Sequence, residues 1–504
     1  MSQRSQWGTR AGFILAAVGS AIGLGNIWRF PYVAYDNGGG AFFLPYLIAL
    51  FTAGIPILIM EFIMGHKYGG SSPLTFSRLN KKSEYVGWLQ VFISFGISTY
   101  YAVIIAWALA YSVYSFNLSW GENTGEFLMG SYLQAGEVGS VGGIVPSVFI
   151  PLVIVWAVVL AVLFKGVKKG IEAANKIFIP ALVVLFLIIV LRAVTLEGAA
   201  QGLNAFFAPD WSQLGDPSVW TAAYTQIFFS LSICFAIMIT YSSYLPKKSD
   251  LTNNAFITGL SNSGFELLAG IGVFSAIGFV AASTGNGIDD FAADGVGLAF
   301  AIFPQIINQM PFLNGLFGFM FFASLVLAGL SSLISISETY IAAFQEKFSI
   351  SRTKAVAFGG GLSALISILY ATKGGVHILT AVDRYVLTVG VGLSGLIEVI
   401  LLAWVIRKVK DLQDHANGLS QIRLGSWWTI CLTVITPILL GYMMIASLYS
   451  EFTAPYVDGY PLSLVGPWGM GALGLVIVAA AIFTKLKWKE GANHSANSNK
   501  GVSS

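Results

Sequence analysis

Long apolar runs alternate with short polar segments along most of the chain. Each run approaches the roughly 20 mostly apolar residues that a helix needs to cross a bilayer. The runs lack the two-residue alternation of membrane β-strands, so helices are favoured over a barrel. The pattern therefore predicts an all-α integral membrane protein with about 12 transmembrane helices. These spans 1 to 12 cover residues 11–35, 42–65, 88–116, 147–164, 171–194, 218–243, 254–283, 315–344, 354–371, 376–406, 425–449 and 464–485.

Composition narrows the class of protein further. Of the 504 residues, 56% are hydrophobic and 10% are charged, whereas soluble domains are about 25% charged. Because so few charges cannot cover a soluble surface, a soluble enzyme, a disordered chain and a nucleic-acid binder are excluded. The net charge of +3 does not indicate a polyanionic partner. The two cysteines, Cys234 and Cys431, lie far apart in apolar runs and predict neither a disulfide nor a metal knuckle.

The basic residues predict the orientation in the membrane. Of 27 Lys and Arg residues, 23 lie in the two terminal segments and in the alternate loops that share their side. On the other side, residues 117–146 contain three glutamates and no basic residue. Cytoplasmic loops carry the excess of Lys and Arg, so both termini are predicted to be cytoplasmic, in a multi-pass protein of the cell (inner) membrane.

Ionisable residues inside the spans are functional candidates, because charge is costly in hydrocarbon. The carboxylates could instead only tie helices together, and this alternative stays open for Glu61 and Glu398. The candidates are Arg29, Glu61, Glu266, Asp383 and Glu398, with Glu338 as a weaker one.

Span 1 is predicted to be broken near its middle. Gly23 and Gly25 disfavour a continuous helix, and a break frees backbone carbonyls on one side and amides on the other. Carbonyl oxygens and the Asn26 amide suit Na⁺, whereas free amides at a helix start suit a carboxylate. The alternative is that the glycines serve close helix packing.

Spans 6, 7 and 8 carry further polar groups. In span 6, Ser230 and Ser232 lie among aromatic residues, but no Gly or Pro marks a break there. In span 7, Asn262 and Glu266 lie one turn apart on one face. Spans 1 and 6 are five spans apart, as expected for an inverted 5+5 repeat whose broken helices meet at the midplane. Span 8 carries Ser331, Ser332 and Ser335, although a lone serine usually bonds its own helix.

The opening motifs resemble the neurotransmitter:sodium symporter family, in its bacterial amino-acid branch with the leucine-transporter fold. The motifs are WGTRAGF at 7–13, AIGLGNIWRFPY at 21–32 and NGGGAFFLPY at 37–46. The resemblance implies an inverted 5+5 repeat with broken helices 1 and 6. It divides the chain into a cytoplasmic N-terminal segment, a transport core, spans 11 and 12, and a polar tail predicted to be disordered. These four parts are residues 1–10, 11–406, 407–486 and 487–504.

The resemblance also implies two sodium sites. The first would be formed by the substrate's own carboxylate together with Ala21, Asn26, Ser230 and Asn262. The second would be formed by the carbonyls of Gly19, Ile22 and Ala328 and the hydroxyls of Ser331 and Ser332.

The same resemblance implies a substrate pocket between the two sodium sites. The α-carboxylate would contact Leu24, Gly25 and Tyr101. The ammonium would contact the carbonyls of Ala21, Phe229, Ser230 and Ser232. The substrate side chain would face Ser20, Ile97, Phe229, Phe235, Ser332 and Ile336.

Two gates would enclose this pocket. Arg29 and Asp383 resemble the external gate pair, although Asp383 could instead pair with Arg384. The cytoplasmic gate would comprise Arg4, Trp7, Ser243, Tyr244 and Glu346.

Three positions bear on the substrate. Cys234 and Ala236 stand where the family usually has glycines, which adds side-chain volume near the pocket. Gly23 stands where amine transporters of the family carry Asp, and it leaves space for an α-carboxylate. The predicted substrate is therefore a neutral, largely apolar L-amino acid.

Glu266 stands where chloride-dependent relatives have Ser. A fixed carboxylate there can supply the negative charge that Cl⁻ supplies elsewhere, which predicts chloride independence. Protonation of this carboxylate when the sodium sites empty leaves proton antiport open. The alternative is that Glu266 only bonds a neighbouring helix through Tyr or Gln.

The prediction is a Na⁺-coupled amino-acid symporter that works by alternating access. An ion channel and a non-transporting sensor of the same fold are the alternatives. An enzyme is not predicted, because the four histidines (66, 377, 415 and 494) lie far apart in sequence and form no general-base or metal cluster. The expected partners are the amino acid and the lipid bilayer, without nucleic acid, and the oligomeric state stays open.

Overall fold

The computed structural model describes residues 5–292, 295–453 and 460–489, which form an all-helical fold. Arg4 and most of the polar tail therefore lie outside the described residues. The long helices follow the predicted spans in order. They are α1 (Arg10–Ala21), α2 (Leu24–Asp36), α3 (Gly40–Tyr68), α4 (Lys81–Tyr114), α5 (Pro146–Phe164), α6 (Val167–Ala193), α7 (Pro217–Ser230), α8 (Ile237–Ser242), α9 (Leu251–Thr284), α10 (Asn314–Phe348), α11 (Arg352–Ala371), α12 (Gly375–Val405), α13 (Ser426–Tyr449) and α14 (Leu462–Lys485).

The predicted succession of spans is confirmed, and both predicted breaks are present. In the described part of the chain, ten helices are long and apolar enough to cross a membrane, and α1 with α2 forms one bent span. The two halves meet at 56°, which confirms the break predicted from Gly23 and Gly25. Span 6 is broken as well, as the family resemblance implies, because residues 231–236 separate α7 from α8.

Tertiary contacts, rather than glycine or proline, hold span 6 open. Ser232, Cys234 and Ala236 all adopt positive φ, at 52°, 66° and 66°, which is costly for residues with a Cβ. Partners on other helices satisfy the freed backbone: Glu61 Oε1 accepts from the Cys234 amide at 2.8 Å, and Ser94 Oγ donates to the Phe235 carbonyl at 2.5 Å. These contacts come from distant parts of the chain, so the local sequence does not display the break.

The helices form an inner and an outer layer. In the most apolar 18-residue stretch of α4, 83% of the residues are buried, whereas the same fraction for α14 is 22%. The inner helices α3, α4, α9 and α10 surround the two broken spans, and α4 packs along α10. The outer helices present apolar side chains outward, as lipid contact requires. The broken spans therefore lie at the centre of the protein, away from lipid.

Candidate functional site

The break in span 1 exposes backbone groups at the centre of the fold. Helix α1 ends at Ala21, and α2 begins at Leu24. The side chain of Asn26 caps the start of α2, because its Oδ1 accepts from the Gly23 amide at 2.8 Å. The Leu24 amide donates to the hydroxyl oxygen of Tyr101 at 3.3 Å. A Cβ added at Gly25 would meet no atom within 4 Å, so that position faces open space.

A cavity of about 460 Å³ lies between the broken spans, α4 and α10. Most of the residues predicted to contact substrate line it. They are Ser20, Ala21, Leu24, Gly25, Ile97, Tyr101, Phe229, Ser230, Ser232, Phe235, Ser332 and Ile336.

Several other lining residues were not predicted from the sequence. Ile104 and Val296 extend the apolar wall, and Thr380, Leu387 and Thr388 line the same cavity. Their residue types are ordinary for a membrane helix, so nothing in the local sequence singles them out.

Cys234 is the exception among the predicted substrate contacts. It is fully buried but does not line the cavity. Its Sγ lies near the carboxylates of Glu61 and Glu398, on the opposite side of the unwound segment. Because Phe235 follows it and faces the cavity, the backbone of this segment turns adjacent side chains in opposite directions.

An amide and hydroxyl cluster lies beside the cavity where the first sodium site was predicted. One terminal atom of the Asn262 amide lies 2.8 Å from Nδ2 of Asn26 and 3.2 Å from the carbonyl oxygens of Ala21 and Ser230. The other terminal atom lies 3.0 Å from Oγ of Ser230. All four residues are buried. Hard oxygen donors without soft ones suit Na⁺, so the cluster fits the predicted site.

The predicted second sodium site brings α1 and α10 together. Ser331 Oγ donates to the carbonyl of Gly19 at 2.7 Å and to that of Ala328 at 2.9 Å. Ser332 Oγ lies 3.4 Å from the Gly19 carbonyl, and Ile22 directly follows the end of α1. Four of the predicted oxygen ligands thus converge within hydrogen-bond distance and fit a small hard cation.

Glu266 is fully buried next to the first cluster. Its Oε1 accepts from Nε2 of Gln226 at 2.6 Å, and its Oε2 accepts from the hydroxyl of Tyr46. Gln226 itself lines the cavity. If Glu266 only bonds a neighbouring helix, its expected partners are a Tyr and a Gln, and both hydrogen bonds are present. These contacts are also compatible with a charge role, because each one hydrogen-bonds to the charged form of the carboxylate.

The charged residues that line the cavity come from α2 and α12. Among the described lining residues they are Arg29, Asp383 and Arg384. The guanidinium of Arg29 lies over the ring of Phe229, 4.4 Å from the ring centroid. Arg384 Nε donates to Oε1 of Glu451 at 2.6 Å. Arg384, the alternative partner of Asp383, is therefore paired with the Glu451 carboxylate.

Aromatic contacts join the N-terminal segment to the end of span 6. The indole of Trp7 donates to the carbonyl of Tyr241 at 2.8 Å, and its amide donates to that of Tyr244 at 3.2 Å. The Tyr244 hydroxyl donates to Glu338 at 2.8 Å, and Arg352 binds both oxygens of Glu338. The N-terminal segment is therefore held against the end of span 6.

Glu346 and Ser243, two further residues predicted for the cytoplasmic gate, make hydrogen bonds of their own. Glu346 accepts from the amide and hydroxyl of Ser71 at 2.8 and 2.7 Å. Ser243 donates to the Thr240 carbonyl of its own helix. Arg4 lies outside the described residues.

The expectation that the histidines lie apart was wrong for one pair. His66 Nδ1 and His415 Nε2 are 3.0 Å apart, although 349 positions separate them in sequence. Burial, with the charges of neighbouring groups, lowers the pKa of His415 to about 4. His66 Nε2 donates to the Pro246 carbonyl at 3.0 Å. The pair therefore joins the ends of three elements and contacts no residue of the cavity.

The match to a known protein family extends over the whole described region. The model of the sodium:neurotransmitter symporter family matches residues 4–137 and 123–489. An uncharacterized sodium-dependent transporter of Methanocaldococcus jannaschii is 41% identical over 490 residues, covering 97% of this chain and 99% of that transporter. The human sodium- and chloride-dependent taurine transporter is 30% identical over 534 residues, covering 97% of this chain and 86% of that transporter. The crystal structure of MhsT in complex with L-phenylalanine superposes with a TM-score of 0.76 at 33% identity, covering 88% of this chain and 100% of the MhsT chain.

Proposed function

Because the chain belongs to the sodium:neurotransmitter symporter family, we propose that it imports a neutral, largely apolar L-amino acid with Na⁺. It is a multi-pass, sodium-dependent transporter rather than an enzyme. The observation that carries the proposal is a cavity with two chemically different ends. The freed amides of α2 and the Tyr101 hydroxyl lie beside the Asn26–Asn262 cluster, whereas the opposite wall is apolar.

The polar end suits an α-amino acid. A carboxylate at the start of α2 gains the amides of Leu24 and Gly25 and lies close enough to the amide cluster to complete a sodium shell. Apart from Arg29, Asp383 and Arg384, the lining residues offer no ionic partner for a charged side chain. The complex of MhsT with L-phenylalanine supports the same substrate class. Both termini are proposed to be cytoplasmic, as the distribution of basic residues indicates.

The direct test is counterflow of labelled amino acids in proteoliposomes, with and without Na⁺. A symporter accumulates label only with Na⁺ inside and outside. A channel conducts Na⁺ without the amino acid, and a sensor binds it without counterflow. Undiminished amino-acid uptake in choline buffer without Na⁺ contradicts the proposal.

A prediction concerns the second sodium site. Ser331→Ala removes a hydroxyl that contacts two carbonyls of the site, and a hydrogen bond to a charged group contributes about 1.5–3 kcal/mol. We expect the Na⁺ concentration for half-maximal substrate binding to rise about 10- to 100-fold. Scintillation-proximity binding across a Na⁺ series measures the change.

The same helix offers a matched control for this variant. Ser324 is also buried on α10, and its Oγ donates to the carbonyl of Phe321 at 2.6 Å. Ser324→Ala should therefore leave the Na⁺ dependence unchanged. Equal shifts in both variants indicate a general loss of helix stability and argue against a sodium ligand at Ser331.

A further prediction concerns the external gate. Arg29 and Asp383 line the cavity, and a solvent-accessible pair can close and reopen at modest cost. We expect Asp383→Asn to slow uptake at least 10-fold while changing Na⁺ binding in detergent less than twofold. Uptake rates and equilibrium binding on the same preparation separate these effects.

A double-mutant cycle with Arg29→Gln identifies the partner of Asp383. Arg384→Gln is the control, because Glu451 binds that guanidinium. Coupling of Asp383→Asn to Arg29→Gln but not to Arg384→Gln is expected. Coupling to Arg384→Gln alone supports the competing pairing.

A further inference from the structure

Three metal-ligating side chains meet outside the substrate cavity, where α3, the unwound segment and α12 come together. They are Glu61, Cys234 and Glu398, and one potential ligand atom of each lies within 4.8 Å of the others. All three are fully buried. The cavity, the sodium clusters and the gates do not use them.

Each carboxylate is held by one oxygen and leaves the other oxygen available. Glu61 Oε1 accepts from the Cys234 amide at 2.8 Å, and Glu398 Oε2 accepts from Nε2 of Gln90 at 2.6 Å. Gln90 is oriented in turn by Ser72, whose hydroxyl donates to it at 2.7 Å. Glu61 Oε2 and Glu398 Oε1 are buried and have no hydrogen-bond partner among the described residues. Such an outer shell of hydrogen bonds orients carboxylates as metal ligands.

No basic side chain acts on this cluster in the part of the chain that the structure describes. Among the described residues, the groups that act on the two carboxylates are each other, Cys234 and Gln90, without a lysine or arginine. A carboxyl group buried in a membrane without a basic partner takes up a proton or binds a cation, and the three converging side chains supply the ligands for a cation that displaces those protons. A thiol with two carboxylates suits a borderline-soft divalent ion better than Na⁺.

Cys234 is placed for this role by the strained backbone. Its positive φ turns the thiol away from the cavity and towards Gly395 on α12, where an added Cβ would lie 2.9 Å from Sγ. Gly395 therefore leaves the space that the sulfur occupies. The next residue, Phe235, lines the cavity, so the cluster and the cavity lie on the two sides of the same unwound segment.

We propose that Glu61, Cys234 and Glu398 form a binding site for a divalent cation of the Zn²⁺ class. The metal displaces the thiol proton, and any proton on the carboxyl groups, to solvent. It joins spans 2, 6 and 10 through side chains, so its binding holds the unwound segment in one position and arrests transport. The arrest depends on the proposed transport function, whereas the metal site itself does not.

Cd²⁺ titration of the purified full-length protein tests the site, with the ultraviolet charge-transfer band of a Cd–S bond as the readout. Cys431 is the only other cysteine, and it is also buried, so Cys431→Ser is a matched control. We expect one equivalent of Cd²⁺ to produce the band in the native protein and in Cys431→Ser, and no band in Cys234→Ser. Mg²⁺ should neither produce the band nor compete. A native protein without the band, or a band that is lost with Cys431, overturns the proposal.

The carboxylates are tested separately. Glu398→Gln should weaken Cd²⁺ binding at least 10-fold while the band, once formed, is retained, because the thiol is still present. Cd²⁺ affinity should also rise with pH, since binding releases protons. Where Glu398→Gln does not fold, Glu61→Gln takes its place, and native Cd²⁺ affinity that is independent of pH counts against the site. If Cd²⁺ binds but uptake is absent altogether, the metal site stands and the transport proposal fails.

Discussion

Na⁺-driven uptake by the native protein is expected to be equal in chloride and in gluconate, whereas Glu266→Ser is expected to lose uptake in gluconate and regain it in chloride. The reason is charge balance at a buried site. The two proposed Na⁺ ions and a zwitterionic substrate would bring net positive charge beside Glu266, which is fully buried one turn from Asn262. At an effective dielectric constant of about 20, unit charges about 4 Å apart interact by about 4 kcal/mol. We therefore expect loss of the carboxylate to lower chloride-free uptake at least 100-fold.

A second variant separates charge from structure. Glu266→Gln keeps the hydrogen-bonding length towards Tyr46 and Gln226 but removes the charge and leaves no space for an anion. Its uptake should be low in both salts. The measurement is initial uptake in proteoliposomes with the two anions, together with thermal stability to exclude misfolding. A collapse of native uptake in gluconate contradicts the charge-replacement argument. Equal uptake by Glu266→Ser in both salts leaves Glu266 with a helix-bonding role alone.

The second large effect is expected at Gly23. A Cβ there would lie 3.2 Å from the Tyr101 hydroxyl and 3.3 Å from Ser332 Oγ, inside the polar end of the cavity. Gly23→Asp therefore places a carboxylate where the substrate carboxylate is proposed to bind. Repulsion between the two, a few kcal/mol at this dielectric, is expected to lower amino-acid affinity at least 100-fold.

Gly23→Ala is the matched control, because it adds the same Cβ without charge. Its contacts are tight but adjustable, and we expect a loss of less than 10-fold. Competition against a labelled amino acid measures both variants, and the decarboxylated amine of the same amino acid should not compete in the native protein. Tight binding of that amine without binding of its parent amino acid contradicts the proposed substrate class.

Much of the candidate site was visible in the sequence because its residue types are unusual for a membrane helix. Gly23 and Gly25, together with Asn26 and Arg29 that follow closely, indicated the break in span 1, since glycine disfavours helix. Asn26, Asn262 and Glu266 stood out because polar groups are costly in hydrocarbon and are therefore functional candidates there. Ile104 and Val296 carry no such signal, and only the folded chain places them on the cavity.

The sequence by itself determined the membrane class, the succession of spans and the break in span 1, because apolar run length and glycine content act locally. The break in span 6 followed from the family resemblance and not from the local residues, and its physical cause lies in the tertiary structure. Only the tertiary structure decided the direction of the Cys234 side chain and the contact between His66 and His415. Ser232, Cys234 and Ala236 have no local preference for positive φ, and their conformation is held by Glu61 and Ser94, which lie more than 100 positions away. Such contacts depend on how the helices pack, because packing brings together residues that are far apart in the sequence.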